Sequence, residues 1–106
     1  MDYTIYTTDE FDKNFDQLDE SEKIRVRKIL NQLKEQGGDV GKPLHFPYFR
    51  EKKFEDKRLY FLVYKDYMIV LALAISDKKT QQETINKIVS ELKNYKEIIE
   101  KRIKGL

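Results

Sequence analysis

Two apolar runs separated by a two-residue turn constrain the fold of this chain more than any other feature. Residues 59–64 read Leu-Tyr-Phe-Leu-Val-Tyr, and residues 67–75 contain no charged side chain. Such runs are too short to span a membrane, and apolar residues at every position are typical of strands that are buried on both faces. Lys65-Asp66 lies between the runs and predicts a tight turn. We therefore expect two neighbouring antiparallel strands with both faces buried.

The N-terminal third of the chain predicts one strand and a helical hairpin. Alternating side chains over residues 2–7 predict a short strand. Two helices follow, and Gly37-Gly38 ends the second through left-handed backbone angles. The candidate N-caps are Thr7 or Thr8, then Asp19 or Ser21, and the apolar stripes are Phe11, Phe15 and Leu18, then Val26, Ile29, Leu30 and Leu33.

The rest of the chain predicts one more strand and one more helix. Both prolines lie in residues 39–47, which we interpret as a loop, and residues 48–54 form an extended strand that turns at residues 55–57. Helical spacing from Thr80 to about Lys104 predicts one rod of about 37 Å at ~1.5 Å per residue. Its stripe is Ile85, Ile88, Val89, Leu92, Tyr95 and Ile99. The predicted fold is α+β, a single domain over residues 1–106 with a strand, a two-helix hairpin, a three-stranded antiparallel meander and a long C-terminal helix.

The composition excludes several classes of protein. The 106 residues include no cysteine and one histidine, so neither a disulfide framework nor a metal site built from these residues is expected. No cofactor is predicted. The N-terminus lacks a basic region followed by an apolar stretch, and we expect a cytoplasmic protein that is neither exported nor embedded in a membrane.

Charge is distributed unevenly, although the net charge is only +2. Residues 1–22 carry eight acids and one base, whereas residues 23–65 carry twelve bases and five acids. A cationic middle block attracts phosphate, an acidic peptide or an anionic lipid. The alternative is that these side chains are solvated charges on helix faces.

Five short segments, spread over nearly the whole chain, carry a family resemblance. They are residues 3–15, Gly41-Lys42-Pro43-Leu44, Phe49-Arg50-Glu51-Lys52-Lys53-Phe54, Arg58-Leu59-Tyr60-Phe61 and Ile75-Ser76-Asp77-Lys78-Lys79-Thr80. In this order they resemble the RelE/ParE superfamily of toxins from toxin–antitoxin pairs. The resemblance implies a small α+β domain that an antitoxin protein neutralises. It also implies that RelE-like and HigB-like members cut messenger RNA on the ribosome, and that ParE-like members poison DNA gyrase.

Arg58 is the candidate for the central task in RNA cleavage, which is to stabilise the phosphorane transition state. A guanidinium donates to two phosphate oxygens at once and stays charged. Arg58 lies at the edge of a buried strand, and the family word Arg-Leu-Tyr favours it over an ordinary turn arginine. We expect its guanidinium to be exposed, so that alanine there leaves the fold intact. Aligned instead on residues 62–64, the arginine of the family falls on Phe61, and both registers stay open.

The general base and acid are sought among the lysines of the same region. Five cations lie within residues 50–58, and like charges held close together favour the loss of a proton from a lysine. Alternation places Lys52 and Lys53 on opposite faces of their strand, so the two cannot both line one site. Resemblance to a HigB-like Glu-x-Arg word favours Lys53, with Lys52 second. The alternative is that both lysines protect an edge strand against aggregation.

Two more lysines precede the last helix. Lys78 is a candidate phosphate contact beside a helix N-terminus that the Thr80 hydroxyl caps. Lys79 stands where the family has an arginine and is a further catalytic candidate. Arg50 and Lys57 complete the predicted RNA-binding set. Weaker candidates for proton transfer or base stacking are His45, Tyr48, Tyr60 and Tyr64, since strand aromatics are more often core residues.

Three functions remain open from the sequence. The cation cluster favours a metal-independent, ribosome-dependent mRNA endonuclease. Loss of the arginine and tyrosine that the family has near its last helix favours a gyrase inhibitor, and a non-catalytic binding module is the third. The expected partners are an antitoxin protein and mRNA on the ribosome, with no membrane.

Overall fold

The fold was analysed in a computed structural model that describes residues 2–105. Within these residues a five-stranded mixed sheet in the order β1-β5-β4-β3-β2 is covered by four α-helices. The elements are β1 (Thr4–Thr7), α1 (Asp9–Asp16), α2 (Glu20–Gln36), β2 (Lys42–Pro43), β3 (Phe49–Phe54), β4 (Lys57–Tyr64), β5 (Ile69–Asp77), α3 (Gln81–Ser90) and α4 (Leu92–Ile103). The predicted α+β class is confirmed, whereas the element order differs from the prediction by the additional strand β2 and by the division of the last helix into α3 and α4.

The two apolar runs form the central strands. β4 and β5 pair antiparallel through a single-turn 3-10 helix at Lys65–Tyr67, and Met68 leaves this turn in the left-handed region at φ 55°. Six of eight residues in β4 and eight of nine in β5 are buried, which confirms the prediction of strands covered on both faces. β1 joins the far side of β5 in parallel, so the sheet is mixed.

A β-bulge in β5 is held by the first helix. Tyr60 pairs with Ala74 and Phe61 with Ala72, which leaves Leu73 as the extra residue. The Leu73 carbonyl accepts a hydrogen bond from Thr8 Oγ1 at 2.7 Å, and the Ile75 amide donates to Asn14 Oδ1 at 2.9 Å. Side chains from the α1 region thus satisfy backbone groups at the interrupted ladder.

A separate apolar core lies on each face of the sheet. On one face α1 and α2 pack against the sheet residues Phe54, Leu59, Phe61, Val63, Val70, Ala72 and Ile75. On the other, α3 and α4 pack against Phe49, Tyr60, Leu62, Ile69, Leu71, Leu73 and Ala74. Leu30 of the predicted α2 stripe is only half-buried, and Val89 of the last predicted helix is exposed.

The helix caps agree with the sequence except at the last helix. Thr8 caps α1, and Asp19 caps α2 in a reciprocal capping box with Glu22. Gly37 ends α2 at φ 55° with the Tyr3 ring against its α-carbon, so no side chain fits there.

The predicted C-terminal rod is two helices, and the prediction of one continuous element was wrong. The helical pattern breaks at Glu91, whose amide donates to the carbonyl of Ile88, three residues back, and the Ser90 hydroxyl bonds the carbonyl of Lys87. The break lets Ile88 in α3 and Ile99 in α4 enter the same core. The sequence concealed it because the apolar spacing continues through the break.

β2 was also missed, because two residues that include Pro43 carry no alternating pattern. Gly41 precedes β2 at φ 71°, with its α-carbon packed on the Glu51 carbonyl. None of the helices in residues 2–105 has the length and apolar character needed to cross a membrane.

Candidate functional site

One end of the β2–β3–β4–β5 sheet carries two rows of paired polar residues. Lys42, Glu51 and Tyr60 are neighbours across β2, β3 and β4, and Lys53, Arg58 and Ser76 are neighbours across β3, β4 and β5. We call these six residues the Arg58 cluster. Alternation along β3 and β4 places their side chains on the face that carries α3 and α4.

The centre of the Arg58 cluster is a buried ion pair. Arg58 is 9% exposed and Glu51 is 3% exposed, and Arg58 Nε lies 4.0 Å from Glu51 Oε1. The exposed Lys42 places Nζ 3.4 Å from the same carboxylate oxygen. Glu51 Oε2 and Arg58 Nε are both buried without a hydrogen-bond partner among residues 2–105. Groups of this kind lose solvation in the folded chain, so they are candidates to bind a polar ligand.

A second polar pair lies behind the ion pair. The Tyr60 hydroxyl is 2.8 Å from Ser76 Oγ, and both residues are buried. Burial raises the pKa of the Tyr60 phenol, so its hydroxyl stays protonated near neutral pH. With no exposed surface, Tyr60 supports the site from the core, as its position in an apolar strand indicated.

Arg58 is buried, which corrects the expectation of an exposed guanidinium. Its neighbour in sequence, Leu59, was recognised as a core residue, but the burial of Arg58 depends on Glu51 in the adjacent strand. Phe61, the alternative position for the family arginine, is fully buried against α1 and α2 on the opposite face. Arg58, in contrast, places its guanidinium beside Lys53 and Glu51.

The predicted group of five cations is divided between the two faces. Lys53 is exposed and is the cross-strand partner of Arg58. Lys52 and Lys57 alternate onto the face of α1 and α2, where Lys57 donates a hydrogen bond to Glu22 of α2. The five cations therefore do not crowd around one lysine.

Arg50 is used to hold the loop that precedes β3. Its guanidinium donates to the carbonyls of Val40, Gly41 and Pro47, with Nε 2.9 Å from the Val40 oxygen. These bonds keep β2, and with it Lys42, against β3. Arg50 therefore supports the Arg58 cluster through the backbone.

Lys78 and Lys79 lie exposed in the turn after β5, at the same end of the sheet as Arg58. The expected cap at this turn was wrong: the Thr80 hydroxyl and amide both donate to Asp77 Oδ1, at 3.1 and 3.0 Å, and Thr80 caps no helical amide. These bonds lower the pKa of the Asp77 carboxyl. Asp77 thus fixes the turn that carries the two lysines.

Three residues of the Arg58 cluster were not predicted as site residues. Glu51 and Ser76 were noted only as parts of segments that carry the family resemblance, and Lys42 lay in the proline-bounded loop. The signal available for Glu51 was a carboxylate between Arg50 and Lys52-Lys53 at an inward position of β3. No group of three or more metal-ligating side chains with suitable geometry occurs in residues 2–105.

Two surface grooves have no residue of the Arg58 cluster in their linings. One of about 630 Å³ separates α1 from α3 and α4, with Asp9 and Glu10 of the acidic N-terminal block at its rim and Leu71 and Leu73 on its floor. Another of about 520 Å³ lies at the β4–β5 turn. In the Arg58 cluster Lys42 and Lys53 are exposed, whereas Glu51, Arg58, Tyr60 and Ser76 are buried.

Comparison with solved structures identifies the architecture. The free form of an arginine-to-alanine double mutant of Escherichia coli toxin RelE superposes with a TM-score of 0.68 at 17% identity, covering 83% of this chain and 99% of that one. The chain has a RelE-like fold. No family model and no curated protein sequence matches it.

Two further structures with the RelE-like fold are toxin–antitoxin complexes. The RelBE2 complex of Mycobacterium tuberculosis matches with a TM-score of 0.64 at 18% identity, covering 74% of this chain and 100% of that one. The RelE–RelB complex of Pyrococcus horikoshii gives 0.63 at 15% identity, with 74% and 97% covered. The resemblance seen in the sequence words is confirmed at the level of the fold.

Proposed function

We propose that this chain is the toxin of a toxin–antitoxin pair and that it cleaves messenger RNA on the ribosome without a metal ion. The observation that carries the proposal is the Arg58 cluster on a RelE-like fold, with Lys42 and Arg58 within 4.0 Å of the buried Glu51 carboxylate and Lys53 beside Arg58. Such a field attracts a phosphodiester, and a guanidinium beside it stabilises the charge that develops on the phosphorane.

The roles follow from what each side chain can donate or accept. Glu51 Oε2 is the unpartnered acceptor in the cluster and takes the proton of the ribose 2′-OH as that oxygen attacks the phosphorus. Arg58 donates to the non-bridging oxygens. Lys53, exposed beside Arg58, gives a proton to the departing 5′-oxygen. The products are a 2′,3′-cyclic phosphate and a 5′-hydroxyl, and Lys42 moves off Glu51 to admit the strand.

This assignment makes the Glu51 carboxylate the general base, in place of the lysine that the sequence suggested. A protonated lysine has three donors and no acceptor, and the division of the cations between two faces removes the crowding on which a lysine base depended. Lys79 and Lys78 are left to position phosphates at the same end of the sheet.

Adjacent lysines supply a matched test. Lys53→Ala should lower the single-turnover rate of cleavage on programmed ribosomes by about 100-fold, the scale of one lost transition-state group, whereas Lys52→Ala on the opposite face should cut at the parental rate. Arg58→Lys keeps the buried charge but loses the fork of donors, and about a 100- to 1,000-fold loss is expected. Equal rates for the two lysine variants would refute the assignment.

Glu51→Gln tests the base. The amide keeps the shape of the side chain but cannot accept the proton, so cleavage should be lost. Because Arg58 then lacks its counter-charge, the rates are compared on the folded fraction of each protein, measured by circular dichroism. Lys78→Ala should raise the concentration of the chain needed for half-maximal cleavage and leave the saturating rate unchanged.

Growth arrest on expression of the chain, with no new mRNA ends produced by cleavage, would instead indicate the gyrase-inhibiting function.

The antitoxin is proposed to be acidic where it meets Arg58 and Lys53. Opposite charges across an interface speed association and are screened by salt. The affinity of the complex, measured by titration calorimetry, should therefore fall as ionic strength rises. An affinity that salt leaves unchanged would show that the antitoxin binds elsewhere, with the acid-rimmed groove beside α1 as the next surface to test.

A further inference from the structure

An aromatic and cationic pocket lies at the end of the β3–β4 hairpin opposite the Arg58 cluster. Tyr48, Tyr64 and Tyr67 line it, together with Lys65 and Lys96, and its volume is about 520 Å³. We call this the tyrosine pocket. Tyr64 lies six positions after Arg58 along β4, which is about 20 Å at ~3.3 Å per residue. The tyrosine pocket is therefore a surface distinct from the Arg58 cluster.

Exposed aromatic rings are the first feature of the tyrosine pocket that needs a function. Tyr48 is 42% exposed and Tyr67 is 38% exposed. The Tyr48 ring stacks on Phe46, itself 36% exposed, with centroids 5.5 Å apart and planes within 13°. Two parallel, partly exposed rings therefore lie next to the pocket.

Unpaired cations are the second feature. Lys65 and Lys96 line the pocket and form no ion pair within residues 2–105, whereas the Arg50 guanidinium in the lining is bonded to backbone carbonyls. The acids are Asp66 in the lining and Glu100, which accepts a hydrogen bond from the Tyr67 hydroxyl at 3.0 Å. The Tyr64 hydroxyl is buried here without a hydrogen-bond partner among the described residues. The pocket thus combines an aromatic platform, excess positive charge and an unmet polar group.

We propose that the tyrosine pocket binds single-stranded RNA. A base stacks on Tyr48, backbone phosphates lie against Lys65 and Lys96, and a base edge meets the Tyr64 hydroxyl. Aromatic platforms flanked by cations are how proteins hold single strands with little sequence preference. The inference deepens the proposed function, since it gives the strand a second anchor about 20 Å from the scissile phosphate.

The test is equilibrium binding of the purified chain to a fluorescein-labelled single-stranded RNA of about 12 nucleotides, without ribosomes, followed by anisotropy. Tyr48→Ala should weaken binding about 10- to 100-fold, the value of one lost stacking contact, and Tyr48→Phe should bind as the parent does. The Lys65→Ala/Lys96→Ala double variant should weaken binding and reduce the slope of log affinity against log salt by about 1.4. Lys28→Ala, an exposed lysine on α2, is the matched control and should change neither.

The outcomes separate this inference from the proposed function. If Tyr48→Ala binds the RNA as tightly as the parent, the pocket is not an RNA site, whatever the cleavage assay shows. If Tyr48→Ala weakens only the antitoxin complex, the surface is a protein interface and the inference is wrong. RNA binding that depends on Tyr48 in a chain that cuts no mRNA would support the pocket and refute the nuclease.

Discussion

At the scale of single residues, Arg58 is as much part of the fold as of the proposed chemistry. Its guanidinium is the buried counter-charge of Glu51. Removing one partner of a buried pair leaves the other charge uncompensated, so Arg58→Ala should lower the free energy of unfolding by about 3–5 kcal/mol. Urea denaturation measures this. A variant as stable as the parent would show that water reaches Glu51. Any activity measured for Arg58→Ala must therefore be referred to the folded fraction of the variant.

The pair between Glu22 and Lys57 predicts a pH dependence of stability. The hydrogen bond from Lys57 lowers the pKa of the Glu22 carboxyl. A lowered folded-state pKa contributes stability above the ordinary value of about 4.3, and that contribution is lost as pH falls through the folded-state pKa. Glu22→Gln should therefore be less stable than the parent at neutral pH, with the difference closing below about pH 4.3.

Denaturation midpoints from pH 7 to the acid limit provide the measurement for Glu22→Gln. The control is Glu20→Gln, whose carboxylate is exposed and 3.7 Å from an exposed Arg27. This variant should follow the parent at every pH, because exposed pairs contribute little. A constant difference between Glu22→Gln and the parent would assign the effect to packing.

At the scale of elements, α2 offers two leucines of unequal burial. Leu33 is fully buried, whereas Leu30 is half-buried at the margin of the core. Leu33→Ala should cost about 2–5 kcal/mol in the free energy of unfolding, and Leu30→Ala clearly less, because the cost follows the buried methyl groups and the cavity left behind. Equal losses would mean that α2 is rotated from the described orientation.

Much of each element could be predicted from local sequence patterns. The features that were not predicted depend on contacts between residues that are distant in the sequence. Alternation, apolar spacing and caps located α1, α2 and the three-stranded meander, because these signals lie within a few residues of each other. β2 escaped because its strand character comes only from pairing Lys42 and Pro43 with β3. The burial of Arg58 and the role of Glu51 escaped for the same reason, since each depends on a partner in a neighbouring strand.

At the scale of the whole molecule, two cores share one sheet. Residues of β4 and β5 alternate between them, so a loosened core on one face also weakens strands that the other needs. Leu33→Ala on one face and Ile88→Ala on the other should both lower Tm, and each variant should still unfold in one transition. Calorimetry is the measurement. A second transition in either variant would show that the two faces melt independently and that residues 1–106 are not a single cooperative domain.

The parallel pairing of β1 with β5 joins the first strand of the chain to the last strand. Thr4 pairs with Ile69, a partner that leaves the ribosome 65 residues later. At about 5–20 residues per second, β1 therefore waits several seconds for the strand beside which it docks. The sheet cannot be completed on a nascent chain that does not yet include β5. Ser76 of the Arg58 cluster is among the last strand residues to emerge. A ribosome that makes this protein has thus nearly finished the chain before the proposed RNA-cutting surface can exist.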